Sequence, residues 1–178
     1  GASSYNVYVK GGSYTEYTRI DDQLVRNYGT YGRADALGLK AGVYSLKVVP
    51  VINNAEDETK ASEATSLTVS NYNREGFAHF NRTVGVGAYN NDGSLKEGAI
   101  VLYVTKNNAK TVTATLASGT FTGLQAIINA YQKKNVTQPP LDIRVIGLLK
   151  AEDMDACGSA SEGIQIKDAA KDSPLNIT

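Results

Sequence analysis

The sequence predicts a mainly β chain in two parts, and three observations predict it. Apolar and polar residues alternate with period two in short stretches of residues 1–72, a nearly continuous apolar run (AIVLYVT) follows Ser94, and one segment alone has the period of an amphipathic helix. A glycine-rich junction over 73–94 separates the parts, 1–72 and 95–178.

In the first part, YNVYVK sets Tyr5, Val7 and Val9 against Asn6, Tyr8 and Lys10, and VYSLKVVPV sets Tyr44, Leu46 and Val48 against Ser45, Lys47 and Val49. Such alternation belongs to antiparallel strands with one face buried. KGGSY and LKAGVY supply glycine turns, and NNAEDETKAS forms a polar hairpin connection before the alternating TSLTVSNY. The acidic run Glu56, Asp57, Glu58 reads as a solvated loop tip rather than a cation site.

In the second part, AIVLYVT has the composition of a strand buried on both faces, and KTVTATL alternates Val112, Ala114 and Leu116 with threonines. The helix falls in TFTGLQAIINAYQKKN. Leu124, Ile127, Ile128 and Tyr131 share one face, Thr122 and Gln125 have capping-box spacing, and Lys133 and Lys134 sit where the helix dipole favours cations. Pro139 and Pro140 forbid its continuation. LDIRVIGLL, EGIQIKD and LNIT then read as short strands, and a strand interrupted at Thr178 reads as a cut rather than a natural end.

Composition narrows the functions. The 178 residues carry 18 basic and 18 acidic side chains, so no net positive charge draws a polyanion and a nucleic-acid partner is set aside. No apolar run has the roughly 18 residues a membrane helix needs, and no signal peptide opens the chain. The single cysteine, Cys157, forms no intrachain disulfide. No G-x-S-x-G elbow accompanies the only histidine, His79, which reads as a packing or surface residue. The glycines of TVGVGAYNNDG lack both the P-loop ending and the third glycine of a dinucleotide fingerprint, so they read as turns with close backbone approach. Asp153, Asp155 and Gly158 imitate an EF-hand loop, but Cys157 and Ile164 stand where ligands are required, and a connecting loop is the better account. Of the eleven tyrosines, Tyr14, Tyr17, Tyr28 and Tyr31 are candidates for stacking on a sugar.

Two resemblances order these features. LGLKAGVYSLKVVPV and ASEATSLTV resemble the later part of a fibronectin type III domain, with Tyr44 as the corner tyrosine. Its first two strands and their tryptophan have no counterpart here. The resemblance therefore implies an incomplete β-sandwich whose inner face (Val7, Leu46, Val48, Leu67) is left partly uncovered. From GFAHF onward, with GVGAYNNDGSLKEGAIVLYVT, TGLQAIINAY, IRVIGLL, EGIQIKD and NIT, the chain resembles the beginning of a Bacteroidetes-type pectate lyase of polysaccharide lyase family one. In that family the helix caps the open end of a right-handed parallel β-helix and the following strands are its first coils.

That resemblance implies an exported parent enzyme, secreted, periplasmic or on the cell surface, which cleaves polygalacturonate by calcium-assisted β-elimination. Carboxylates hold Ca2+ against the uronate and an arginine removes the C5 proton. In the family these groups come from later coils. No catalytic, cofactor-binding or metal-binding residue is therefore carried onto this chain, which is expected to be structural and inactive alone, with Ca2+ and the pectic polysaccharide belonging to the full-length protein. A cut β-helix exposes an apolar stack and strand edges, so self-association is expected. Two alternatives stay open: a non-enzymatic surface module that binds glycan or adheres, and a β-helix enzyme acting on another polysaccharide.

Overall fold

The computed structural model describes residues 1–72, 85–133, 136–156, 163–166 and 177–178. Two compact units result, Gly1–Phe77 with Asn91–Ser94, and Ala78–Asn90 with Leu95–Thr178. Among the described residues the fold is mainly β, with open sheets and one α-helix.

The first unit is organised by β1 (Ser4–Gly11), β2 (Tyr14–Arg19), the short hairpin β3 (Val25–Asn27) and β4 (Gly32–Ala34), then β5 (Gly42–Ile52), β6 (Ala55–Glu56) and β7 (Thr65–Val69). The β-branched run of β5 suits a central strand. It pairs antiparallel with β1 along Ser45–Val51, and its other edge takes β7 over Gly42–Leu46 and β6 at Val51 and Ile52. Pro50 lies within this central strand, where a missing N–H would ordinarily break a ladder. Its carbonyl accepts from the Asp57 N–H at 2.9 Å, so its donorless nitrogen points the same way, into the gap between β7 and β6.

Tyr44 is buried in this sheet and its hydroxyl donates to the Lys40 carbonyl at 2.9 Å. The turn between β1 and β2 packs on the same ring. A Cβ at Gly12 would lie 2.6 Å from the Tyr44 hydroxyl, so the second glycine of KGGSY is needed for space as well as for its φ of 57°. On the tyrosine's face, Val7, Leu46 and Val48 are half-buried and Leu67 is 43% exposed, while Val49 on the opposite face is fully buried, so β5 does not bury one face alone.

Glu56 and Glu58 are exposed, as a solvated loop tip would be, and are also held by side-chain partners. The Glu56 carboxylate accepts from the Asn6 amide and, at 2.6 Å, from the Tyr8 hydroxyl. That hydrogen bond, with burial, pushes the Tyr8 phenol up to about 12. Glu58 pairs with Lys47 at 2.9 Å, and Asp57 accepts from the Thr59 N–H to cap the turn Glu58–Lys60. Asn53 and Asn54, both at positive φ, close a tight β5–β6 hairpin that brings the carboxylates back over β1 and β5.

The second unit contains β8 (Ile100–Val104), β9 (Thr113–Leu116), β10 (Gly119–Thr122), α1 (Leu124–Tyr131) and β11 (Leu141–Val145). β8 and β11 run parallel, from Ile100 opposite Leu141 to Val104 opposite Val145. A third chain segment joins on the far side, where Leu141 bridges Ile177 in parallel and the Ile143 N–H donates to the Thr178 carbonyl at 2.8 Å. Parallel neighbours need a crossover; here the β9–β10 hairpin and α1 supply it. As the spacing predicts, Leu124, Ile127, Ile128 and Tyr131 are all buried, packing with Leu102, Val104 and Leu116.

Two expectations are corrected here. Thr120, Phe121 and Thr122 form β10 rather than the run-up to the helix, because the Ala117–Ser118 turn folds them onto the threonine-rich β9. Of EGIQIKD, Gly163–Ile166 forms no strand. The Gln165 N–H and C=O bond instead to the Gln125 side chain, both at 3.0 Å, leaving no ladder for that residue to join.

Candidate functional site

The parallel pair has two faces. Leu102, Val104, Leu141 and Ile143 turn toward the helix-capped core, which leaves Tyr103 of β8 and Asp142 and Arg144 of β11 on the opposite face. Register places Arg144 directly opposite Tyr103. Although this face lies away from the core, the Asp142 and Arg144 side chains are only 3% and 10% exposed. Tyr89, from the segment that precedes β8, joins them.

The four side chains form one network. Arg144 Nε donates to Asp142 Oδ2 at 2.7 Å, Nη1 to the Tyr103 hydroxyl oxygen at 2.8 Å, and Nη2 to the Tyr89 hydroxyl oxygen at 3.1 Å. Tyr89 in turn donates its O–H to Asp142 Oδ2 at 2.8 Å. The guanidinium also lies over the Tyr103 ring, 5.3 Å from its centroid. Every guanidinium nitrogen thus has a protein acceptor, which is the condition for burying a charge at tolerable cost.

Electrostatics define what this arrangement does. Burial alone would push the Arg144 pKa down, but the hydrogen bond to Tyr89 and the neighbouring Tyr103 and Asp142 outweigh it and hold the pKa above the ordinary arginine value. Burial and the hydrogen bond to Asp142 likewise push the Tyr89 phenol up. An arginine that acts as a base must give up its proton, and this one is held more firmly than usual. The network suits a clamp that joins residue 89 to two adjacent strands.

The glycine run before β8 meets the same set of strands. A Cβ on Gly87, where φ is 60°, would lie 2.7 Å from the Ile177 carbonyl oxygen, and the Ala88 N–H donates to Thr178 Oγ1 at 2.9 Å. These are turns with close backbone approach, as the sequence predicts. His79 and Cys157 lie outside the described residues, as does Gly158 of the EF-hand-like spacing. Among the described residues no group of three or more His, Cys, Asp or Glu side chains could hold a metal.

Asp153 and Asp155 are occupied by backbone. Asp153 accepts from the Lys150 N–H at 2.9 Å, while the Asp155 carboxylate accepts from the Gln125 and Ala126 N–H groups, each at 2.9 Å. The helix is therefore capped from thirty residues away, and the Thr122–Gln125 capping box does not form. Gly123 is the N-cap residue and has no side chain to offer, so the anionic Asp155 takes the helix start. Asp155→Ala is expected to lower stability by about 1–2 kcal/mol. Amide exchange at Gln125 and Ala126 checks this: unchanged protection would show that Asp155 does not cap α1.

The four candidate tyrosines are dispersed. Tyr14 is half-buried; Tyr17 bonds Ser45 at 2.8 Å with Lys47 over its ring; Tyr28 and Tyr31 stack on each other at the tip of the β3–β4 hairpin. Asp142 and Arg144 are brought together by the fold, and neither is among the candidate functional residues picked out in the sequence. The available signal was two opposite charges at i and i+2 inside a run, LDIRVIGLL, otherwise fit for burial. Compared with family models, curated proteins and solved structures, the chain matches none.

Proposed function

We propose that this chain is the N-terminal part of an exported, calcium-dependent pectate lyase: an incomplete fibronectin type III-like module, then the cap and first coils of a right-handed parallel β-helix. The observation that carries the reading is the stack of three parallel passes, β8, β11 and residue 177, closed by the apolar face of α1. Parallel passes joined by long crossovers are how a β-solenoid is built, and an amphipathic helix is a physically sensible cover for its first coil. The buried Tyr44, with its hydroxyl bonded four residues back, supports the fibronectin-like half.

On this reading the chain's own residues are architectural. Arg144 stays protonated and binds strand to strand, and the calcium ligands and the arginine base belong to later coils. An extended chain, expressed from the coding sequence beyond Thr178, should release unsaturated uronates from polygalacturonate in a calcium-dependent way, and a chelator should abolish the product. An extended chain that folds but yields none overturns the proposal.

A further inference from the structure

The β3–β4 hairpin presents four exposed side chains on one face. Its register runs Val25 opposite Ala34, Arg26 opposite Arg33 and Asn27 opposite Gly32. The next step brings Tyr28 opposite Tyr31, whose carbonyl accepts the Tyr28 N–H at 2.9 Å. Strand side chains alternate between faces, so the arginine pair and the tyrosine pair lie on the same side. The two rings stack with centroids 5.2 Å apart and planes 16° from parallel. Tyr28 and Tyr31 remain 48% and 61% exposed, so each keeps an outer ring face in solvent.

We propose that this face binds an acidic saccharide, with a pyranose ring on an outer tyrosine face and a uronate carboxylate on the Arg26 and Arg33 guanidinium groups. The rings already stack on each other, so less side-chain freedom is lost on binding than for two separate side chains. The C–H-rich face of a sugar suits an aromatic face. A guanidinium fork matches a planar carboxylate. Two arginines directly opposite one another repel. Asp35 relieves only Arg33, through Nε at 2.9 Å, and Arg26 makes no ion pair among the described residues. An anionic ligand would relieve the remainder. Two guanidinium groups on a chain without net charge are a small footprint for a nucleic acid, whose affinity grows with the number of phosphates neutralised.

The proposal extends the functional reading to a contact in the first unit; the acidic-saccharide class stands on the hairpin alone, while galacturonate as the uronate rests on the lyase reading. The test is an NMR and calorimetric titration of the whole chain, with chelator present, against oligogalacturonate, its methyl ester, oligoguluronate and oligodeoxythymidine. Acidic saccharides should shift the amides of residues 26–33, and esterification should weaken binding about tenfold, as should raising the salt. Tyr28→Ala or Tyr31→Ala should weaken it at least about fivefold. Arg26→Gln combined with Arg33→Gln should remove most of the salt dependence, and unshifted β5 amides would confirm that the variants fold. Shifts confined to other residues, no binding of any acidic saccharide, or tighter binding of the oligonucleotide would each overturn the proposal. Binding of oligoguluronate but not oligogalacturonate would sustain the hairpin site and sink galacturonate as its ligand, leaving the lyase reading to the activity of the extended chain. A lyase-active extended chain whose hairpin binds none of the saccharides would do the reverse.

Discussion

Replacing Arg144 with methionine is expected to destabilise the second unit by about 3–5 kcal/mol. The cost arises from what is left behind. Asp142 is 3% exposed, and without the guanidinium its carboxylate keeps only the Tyr89 hydroxyl among the network's donors, in a site with little water to replace the rest. Removing both charges together, as Asp142→Leu with Arg144→Met, should cost far less than the single change, because a buried ion pair contributes little over an apolar pair of similar volume. The two units need not unfold together, so urea transitions of the whole chain are best accompanied by amide exchange at Leu102 and Ile143, which reports the parallel pair alone. A single variant no less stable than the double one would show that Arg144 does not compensate Asp142.

Truncating Ile127 to alanine should cost about 2–5 kcal/mol. This side chain is fully buried on α1 among residues from β8, β9 and β11, so its deletion leaves a cavity in the only core the second unit has among the described residues. The counterpart control is Leu148→Ala. That residue is 72% exposed and its loss should fall within about 0.5 kcal/mol of neutral. Equal effects for the two, measured by the same urea midpoints, would mean that α1 does not cover the parallel passes.

The contrast between these residues follows how much of the molecule was legible in its sequence. Ile127 was legible because helix burial has a local period: positions 124, 127, 128 and 131 report one another. β1, β5 and β7 were legible as strands from their period-two alternation, but their burial does not follow it: Val49, set on the face opposite Tyr44, is fully buried, while Tyr5 and Leu67 are exposed. What escaped depends on partners distant along the chain. The helix cap was misread because Thr122 and Gln125 have the right spacing, yet Asp155 supplies a charge at the helix start and Gln125 is engaged by Gln165. Glu56 and Glu58 are exposed, as read, but the Asn53–Asn54 turn that returns them to Tyr8 and Lys47 joins partners no local pattern shows. The Arg144 network draws on residues 89, 103, 142 and 144, and only the last two are close enough in sequence for any pattern to join them.

Asp142 and Arg144 are also where a scaffold and an active site would look most alike: a buried carboxylate and arginine on the outer face of parallel strands. Their chemistry separates the two. A catalytic base needs a proton-free form within reach and an open side, whereas each guanidinium nitrogen of Arg144 is committed to a protein acceptor and the group is held in its charged form. The network therefore holds residue 89 against β8 and β11, and under the lyase proposal bond-breaking falls to residues outside this chain. The most direct test is to incubate this chain alone with polygalacturonate and calcium and to follow the ultraviolet absorbance of unsaturated product. No product above a buffer blank is expected; calcium-dependent product that disappears in a folded Arg144→Met variant would contradict the account.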